Sequence, residues 1–231
     1  MLINLYKVLF DSTNTTFNKI FNNQSNFSLV EKQNIAVQSY EQTAGVGRGN
    51  KKWNSPRGNI YLTINQNKNT DEILKNSFYV CYLIHRFFSK NYGIKFQYKW
   101  PNDLYFNDKK ICGVVSTSKI IGNKSYIQTG IGFNLNNQPI KTSISLSQIL
   151  NQKFSILEVS SKILEFIDFN LNSHISNSYL VKYLNCYLLR KFRVNHPSFN
   201  QNTKIIKVLN DLSLRIKLHD RYENIFFGEL V

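Results

Sequence analysis

An α+β fold is predicted for this 231-residue chain, a mixed β-sheet flanked by helices with a small unit made of strands alone at its C-terminus. Three observations predict it. Segments alternating apolar and polar side chains bracket a glycine-rich stretch in the first third. Three runs further on repeat apolar residues at helical spacing. Past about residue 189, short alternating segments follow one another with no helix between them, which divides the chain into 1–188 and 189–231, in keeping with ~100–200 residues per domain.

The elements follow in order. Met1 to Phe10 is too short and too lightly charged for a secretory leader. After Asp11, the side chains of Ser12, Thr13 and Asn14 can accept from the free amides of a first turn, so a short helix is expected to about Asn23. Asn34 to Tyr40 reads as a strand, Gln42 to Gly58 as a glycine-rich connection, and Asn59 to Ile64 as the next strand. Asp71 is placed as the cap of a helix over about 71–90, in which Cys81 falls on the apolar face.

Lys95 to Trp100 reads as a strand. Leu104 to Phe106, the turn Asn107-Asp108 and Ile111 to Val115 form a hairpin, and Ser125 to Leu135 is a further strand after a turn at Gly122-Asn123. The apolar positions from Ile156 to Leu171, and from Tyr179 to Leu188, mark two more helices. Arg190–Val194, Lys204–Leu209, Leu212–Leu218 and Asn224–Leu230 are the terminal strands.

Composition narrows the function classes. With 42% hydrophobic residues, 14% aromatic residues and only four prolines, the chain can bury a core. Twenty-nine Lys and Arg against fourteen Asp and Glu give +15, a field that draws in nucleic acid, nucleotides or acidic proteins. The basic residues are scattered, and 31 asparagines accompany them, a composition also expected from an A/T-rich genome. Charge alone therefore names no partner. Cys81, Cys112 and Cys186 keep no ligand spacing with one another or with His85, His174, His196 and His219, so neither a metal site nor a disulfide framework is expected. The most apolar stretch, Phe78 to Phe88, is broken by His85 and Arg86 and falls short of the ~20 residues a membrane span needs. A cytoplasmic protein with no membrane contact is expected.

Two motifs carry chemistry. Gly45-Val46-Gly47-Arg48-Gly49 sets three glycines on alternate positions around an arginine. Backbone amides that can approach a ligand, with a guanidinium among them, make an anion-binding nest. It is neither a P-loop nor a dinucleotide fingerprint, because Asn50 stands where the last glycine of the latter belongs. The second motif is Lys99-Trp-Pro-Asn-Asp103 with Lys110 and Gly113 downstream: a strand ends in a proline turn that presents Asn102 and Asp103, and Lys110 on the returning strand can aim its ammonium at the same place.

Together with Asp11-Ser-Thr-Asn14, Gln42 to Trp53, Ser55-Pro-Arg-Gly58 and Gly130-Ile-Gly-Phe-Asn134, these pieces stand in the order found in biotin protein ligases, which the chain resembles over about 11–150. The resemblance implies a biotin/lipoate ligase-like catalytic domain with a C-terminal SH3-like β-barrel. It also implies two half-reactions. The biotin carboxylate attacks the α-phosphate of MgATP to give biotinyl-5′-AMP, and a lysine of a biotin carboxyl carrier protein, as in acetyl-CoA carboxylase, then displaces AMP. By the same resemblance Ser12, Thr13, Gln42, Gly45, Val46 and Gly113 bind biotin, and Gly47, Arg48, Trp53, Lys110 and Asn134 bind the nucleotide. Arg48, Lys110 and Asp103 are the catalytic candidates, Asp103 for orienting or deprotonating the incoming lysine.

Some positions depart from the family pattern. Val46 replaces the first arginine of a loop that usually reads GRGR, Val114-Val-Ser-Thr117 replaces a stretch that in many members holds a glutamate, and the tail keeps little beyond Gly228-Glu229. Members that repress transcription carry an N-terminal helix-turn-helix. This chain enters the catalytic pattern at residue 11, so no DNA partner is expected, and the assembly is expected to be a monomer or a homodimer. The competing readings are a lipoate or octanoate ligase, which usually lacks KWPND, an eroded ligase, and a basic nucleic-acid-binding domain, which would need a clustered basic face or stacking platform.

Overall fold

The computed structural model describes residues 3–16, 35–67, 73–121, 124–171, 175–195, 203–219, 221–226 and 229–230. Its centre is a seven-stranded sheet with the order β1-β2-β3-β7-β6-β5-β4. The strands are β1 (Ile3–Phe10), β2 (Ile35–Gln42), β3 (Ile60–Asn67), β4 (Gln97–Lys99), β5 (Asp103–Phe106), β6 (Lys109–Ile121) and β7 (Lys124–Phe133). The β1–β2 pair is parallel and the others antiparallel, so the sheet is mixed as expected. The segment 3–10, read only as lacking a leader, is in fact an edge strand.

One face of the sheet is dry. Leu62, Ile131 and Val114 stand opposite one another on β3, β7 and β6, all buried. Helix α1 (Ile73–Tyr92) lies on this face, and its Phe88 ring stacks on Phe133 with centroids 4.4 Å apart. A helix that buries Phe78, Cys81, Tyr82, Ile84 and Phe88 derives its stability from that stripe, at roughly 1.5–3 kcal/mol for each large side chain taken out of water. Helices α3 (Ile156–Leu171) and α4 (Asn177–Cys186) pack outside α1. Burial pushes the thiols of Cys81 and Cys112 well above their ordinary range, which makes them inert packing groups.

Local chemistry explains the connections. Asn107 and Asp108 both take positive φ (46° and 68°), the geometry of a two-residue hairpin turn and one that Asn and Asp tolerate well, so the predicted hairpin forms. The short helix α2 (Leu146–Leu150) was not predicted, although its signal is plain: Ser145 and Gln148 form a reciprocal capping box. The predicted cap at Asp71, the Gly122-Asn123 turn and the helix beyond Thr16 lie outside the described residues.

After α4 come β8 (Val194–Asn195), β9 (Lys204–Val208), β10 (Leu214–Leu218), β11 (Arg221–Ile225) and β12 (Glu229–Leu230). They form a three-stranded antiparallel sheet, β11-β10-β9, and a β12-β8 pair. Of the predicted strand at Arg190–Val194, Val194 alone lies in a strand, at the start of β8, and the segment Asn224–Leu230 is shared between two strands. Ile205, Val208, Leu214 and Ile216 join the same apolar cluster as the α1 face, and Trp100 Nε1 donates to Leu212 O at 3.2 Å.

Candidate active site

The opposite face of the sheet is bared by glycine. Gly130 and Gly132 alternate along β7, so both point the same way, and Gly113 on β6 stands directly opposite Gly132. The row continues on both sides: Lys99 faces Asp103, Asp103 faces Gly113, and Gly132 faces Tyr61. Register alone thus lines up a cation, a carboxylate and an open backbone floor across four strands. A methyl at Gly132 would overlap the Trp53 indole, and one at Gly113 would come within 3.0 Å of it, so the ring packs against the floor only because these positions lack Cβ.

Above the floor is a cleft of about 740 Å³. Of the residues expected from the sequence, Ser12, Thr13, Gln42, Val46, Gly47, Arg48, Trp53, Asp103, Lys110, Gly113 and Asn134 all line it. Gly45 does not. It is buried beneath the loop, where Gly45 O accepts from Trp53 N at 2.8 Å and an added Cβ would meet Ser55.

The glycine loop is a hairpin between β2 and β3. Gly47 N donates to Lys51 O at 2.6 Å, Val46 pairs with Lys52, and Gly49 sits at φ 63° inside a single tight turn. Arg48 is exposed at the tip of this hairpin, and Val46 is 42% exposed at the rim. At the loop's base Thr13 N donates to Gln42 Oε1 at 2.8 Å, while Gln42 Nε2 donates to Ser55 Oγ at 2.8 Å. Gln42 is thereby held by the protein at both ends of its amide. The Thr63 hydroxyl on the floor lies 2.8 Å from that of Thr13, which ties the 12–16 segment to β3.

The second motif folds as its spacing suggested. The Trp100–Pro101 peptide is cis. Asn102 Nδ2 donates to Val114 O at 2.7 Å and so fastens the turn to β6. Asp103 Oδ2 holds Lys110 Nζ at 2.7 Å, and Asp103 Oδ1 is buried without a hydrogen-bond partner among the described residues. Lys110 Nζ also lies 4.9 Å from the Trp53 ring centre. Asn134 Nδ2 donates to Lys110 O at 3.2 Å, and its buried Oδ1 has no hydrogen-bond partner among the described residues. Both residues line the cleft.

Charge is concentrated here. Arg48, Lys51, Lys52, Lys99 and Lys110 line the cleft, with Asp103 as the carboxylate among the described lining residues. Lys51, Lys52 and Lys99 were not singled out from sequence. Lys99 could have been, since a three-residue turn must return Asp103 beside it. Lys51 and Lys52 needed the hairpin pairing with Val46. Leu230 of β12 also reaches the cleft, a contact no local pattern encodes. Among the described residues no three His, Cys, Asp or Glu side chains gather as a metal site, and no helix is long and apolar enough to cross a membrane.

Comparison with known proteins shows the family and the fold. The chain is 28% identical over 127 residues to biotin–protein ligase 2 of Arabidopsis thaliana, covering 52% of this chain and 38% of that protein. Over 171 residues it is 26% identical to the bifunctional ligase/repressor BirA of Bacillus subtilis, covering 69% of this chain and 51% of that protein. The matched stretches thus span about half of these relatives' length or less. A structure of biotin protein ligase from Aquifex aeolicus in complex with biotin and ATP superposes with a TM-score of 0.78 at 21% identity, covering 99% of this chain and 97% of that one, so the fold is shared from end to end. Residues 5–134, more than half of the chain and the part that holds the glycine loop, the Lys110–Asp103 pair and the glycine floor, match the model of the biotin/lipoate A/B protein ligase family, to which this chain belongs.

Proposed function

We propose that the chain activates biotin as biotinyl-5′-AMP at the expense of ATP and transfers the biotinyl group to a lysine of a biotin carboxyl carrier protein. The observation that carries this reading is the juxtaposition of five cleft cations with a glycine floor and the Lys110–Asp103 pair. In the first half-reaction a carboxylate oxygen of biotin bonds to the α-phosphorus and the bond to the bridging oxygen of pyrophosphate breaks. Both reactants are anions, so the protein's task is to neutralise them and hold them in line. Lys110 would meet the carboxylate and α-phosphate oxygens, and Arg48, at the loop tip, would close over the adenylate. Lys51 and Lys52 extend the positive field toward the leaving pyrophosphate, and magnesium would arrive with ATP as part of the substrate.

In the second half-reaction the acceptor amine bonds to the acyl carbon and AMP leaves. The unpartnered Oδ1 of Asp103 is suited to accept a proton from the incoming ammonium, while Oδ2 stays on Lys110. Asn134 Oδ1 is suited to the amino group of adenine. Gly113, Gly130 and Gly132 let Trp53 and Asn14 settle directly on the backbone, which would leave depth in the cleft for the ligand above them. Gln42, bonded at both ends within the protein, would shape the ring pocket through Thr13 and Ser55. The terminal strands 189–231 form a small β unit docked on the catalytic part, which they complete through Leu230.

Biotin-dependent exchange of labelled pyrophosphate into ATP tests the reading, with lipoate and octanoate as control acids. Exchange with biotin alone is expected. Exchange with a control acid only would transfer the reading to the lipoate branch of the family, and no exchange from a folded sample would mark an eroded ligase.

A further inference from the structure

The sheet β9–β10–β11 has one face turned to the core and one to solvent. Leu214 and Ile216 of β10 point inward; Arg215 and Lys217 alternate with them and point out. Register places Lys207 directly opposite Arg215, and Lys204 directly opposite Lys217. Two like-charge cross-strand pairs thus stand side by side on a three-stranded sheet, an arrangement that destabilises it. On the other flank, Tyr222 pairs with Lys217 and is 56% exposed. Its ring lies 5.5 Å from the Arg215 guanidinium and 5.9 Å from the Lys217 ammonium. Among the described residues of this sheet, the carboxylate that could relieve the cations is Glu223. It stands opposite inward-facing Ile216 and is bonded to Arg221 at 3.1 Å.

A face that carries four cations, two of them beside an exposed aromatic ring, and no outward-facing carboxylate among its described residues breaks a local rule of sheet design, and such conflicts concentrate at functional surfaces. We propose that this face binds single-stranded nucleic acid, with Lys204, Lys207, Arg215 and Lys217 on the phosphates and Tyr222 stacking on a base. Cations beside an exposed ring on a sheet face are the elements of a single-strand platform. It is also the clustered basic face that the sequence, with its scattered charges, did not reveal. The expectation of no DNA partner concerned a helix-turn-helix and does not bear on this sheet.

The test is fluorescence anisotropy of a labelled 20-nucleotide oligo(dT) titrated with the full chain between 50 and 200 mM salt. Binding is expected with a log–log salt slope of about −3 for four phosphates neutralised, at about −0.7 each. Tyr222→Ala should weaken binding about five- to a hundredfold, the range for loss of one stacked base. The pair Lys204→Gln/Lys217→Gln should weaken binding and flatten the slope by about 1.4, while its melting temperature stays equal or rises because a repulsive pair is gone. Affinity unchanged in both variants would overturn the proposal, since the oligonucleotide would then be bound elsewhere on the basic surface. So would absence of binding at 50 mM salt. Stronger binding to poly-glutamate, independent of Tyr222, would overturn it in favour of an acidic protein partner.

Discussion

At the scale of single residues the cleft separates groups that act through charge from groups that act by being small. Lys110 is the clearest case of the first kind, because its ammonium is held by Asp103 at 2.7 Å and kept over the Trp53 ring. Lys110→Ala removes a preorganised cation from the point where two anions meet. Pyrophosphate exchange should drop about a hundred- to a thousandfold, the usual loss for one such group, and the melting temperature should fall as well, because the mostly buried Asp103 carboxylate loses its partner. Arg48→Gly should leave the first half-reaction largely intact and release the adenylate, so that bystander lysines become labelled; mass spectrometry of an unrelated protein present in the reaction reads this out. Gly132 is the second kind. Gly132→Val would drive Trp53 off the floor, and calorimetry should find biotin binding lost, with an overpacking penalty of about 1–3 kcal/mol in the unfolding free energy.

Elements set the environment of residues far from the cleft. His85 lies in the interface of α1 with α4, its ring 4.2 Å from that of Tyr187 and 5.4 Å from that of Tyr183. Burial, reinforced by Lys95, lowers its pKa from 6.5 to about 4. The folded chain therefore resists a proton that the unfolded chain accepts. The stabilisation is complete above pH 6.5 and is lost as the pH falls from there toward 4, up to about 3 kcal/mol in all. Thermal melts across that window should show a steep acid decline in the native chain and a shallower one in His85→Phe. The lone His85 on an apolar helix face was visible in the sequence as an interruption; that it packs among tyrosines of α4 was not, because periodicity gives a helix its faces but not its neighbours.

The whole molecule shares one apolar cluster between its two parts. Asn185 of α4 exchanges two hydrogen bonds with Val208 of β9, and Trp100 is bonded to Leu212 O. Truncation after Leu188 should therefore lower the melting temperature rather than leave an intact catalytic unit, since each large apolar side chain exposed costs roughly 1.5–3 kcal/mol. Circular dichroism of the truncated chain, with a transition unchanged from the full chain, would show instead that the strands are a passive appendage.

Local pattern was enough for most of the architecture. Period-two and helical repeats located most strands and all three long helices, the Asn107-Asp108 pair announced its turn, and the order of the glycine loop, KWPND and Lys110 announced the family's chemistry. These signals depend on neighbours along the chain and on steric rules that hold wherever the residues stand. The sequence was silent where the cause is long-range. It could not say that β1 joins the sheet edge, that Gly113 and Gly132 meet across strands to seat Trp53, that Leu230 reaches the cleft, or that four dispersed cations gather on the sheet face that carries Tyr222. Each of those depends on strand register and on the packing of segments distant in the chain, and only the tertiary structure decides them.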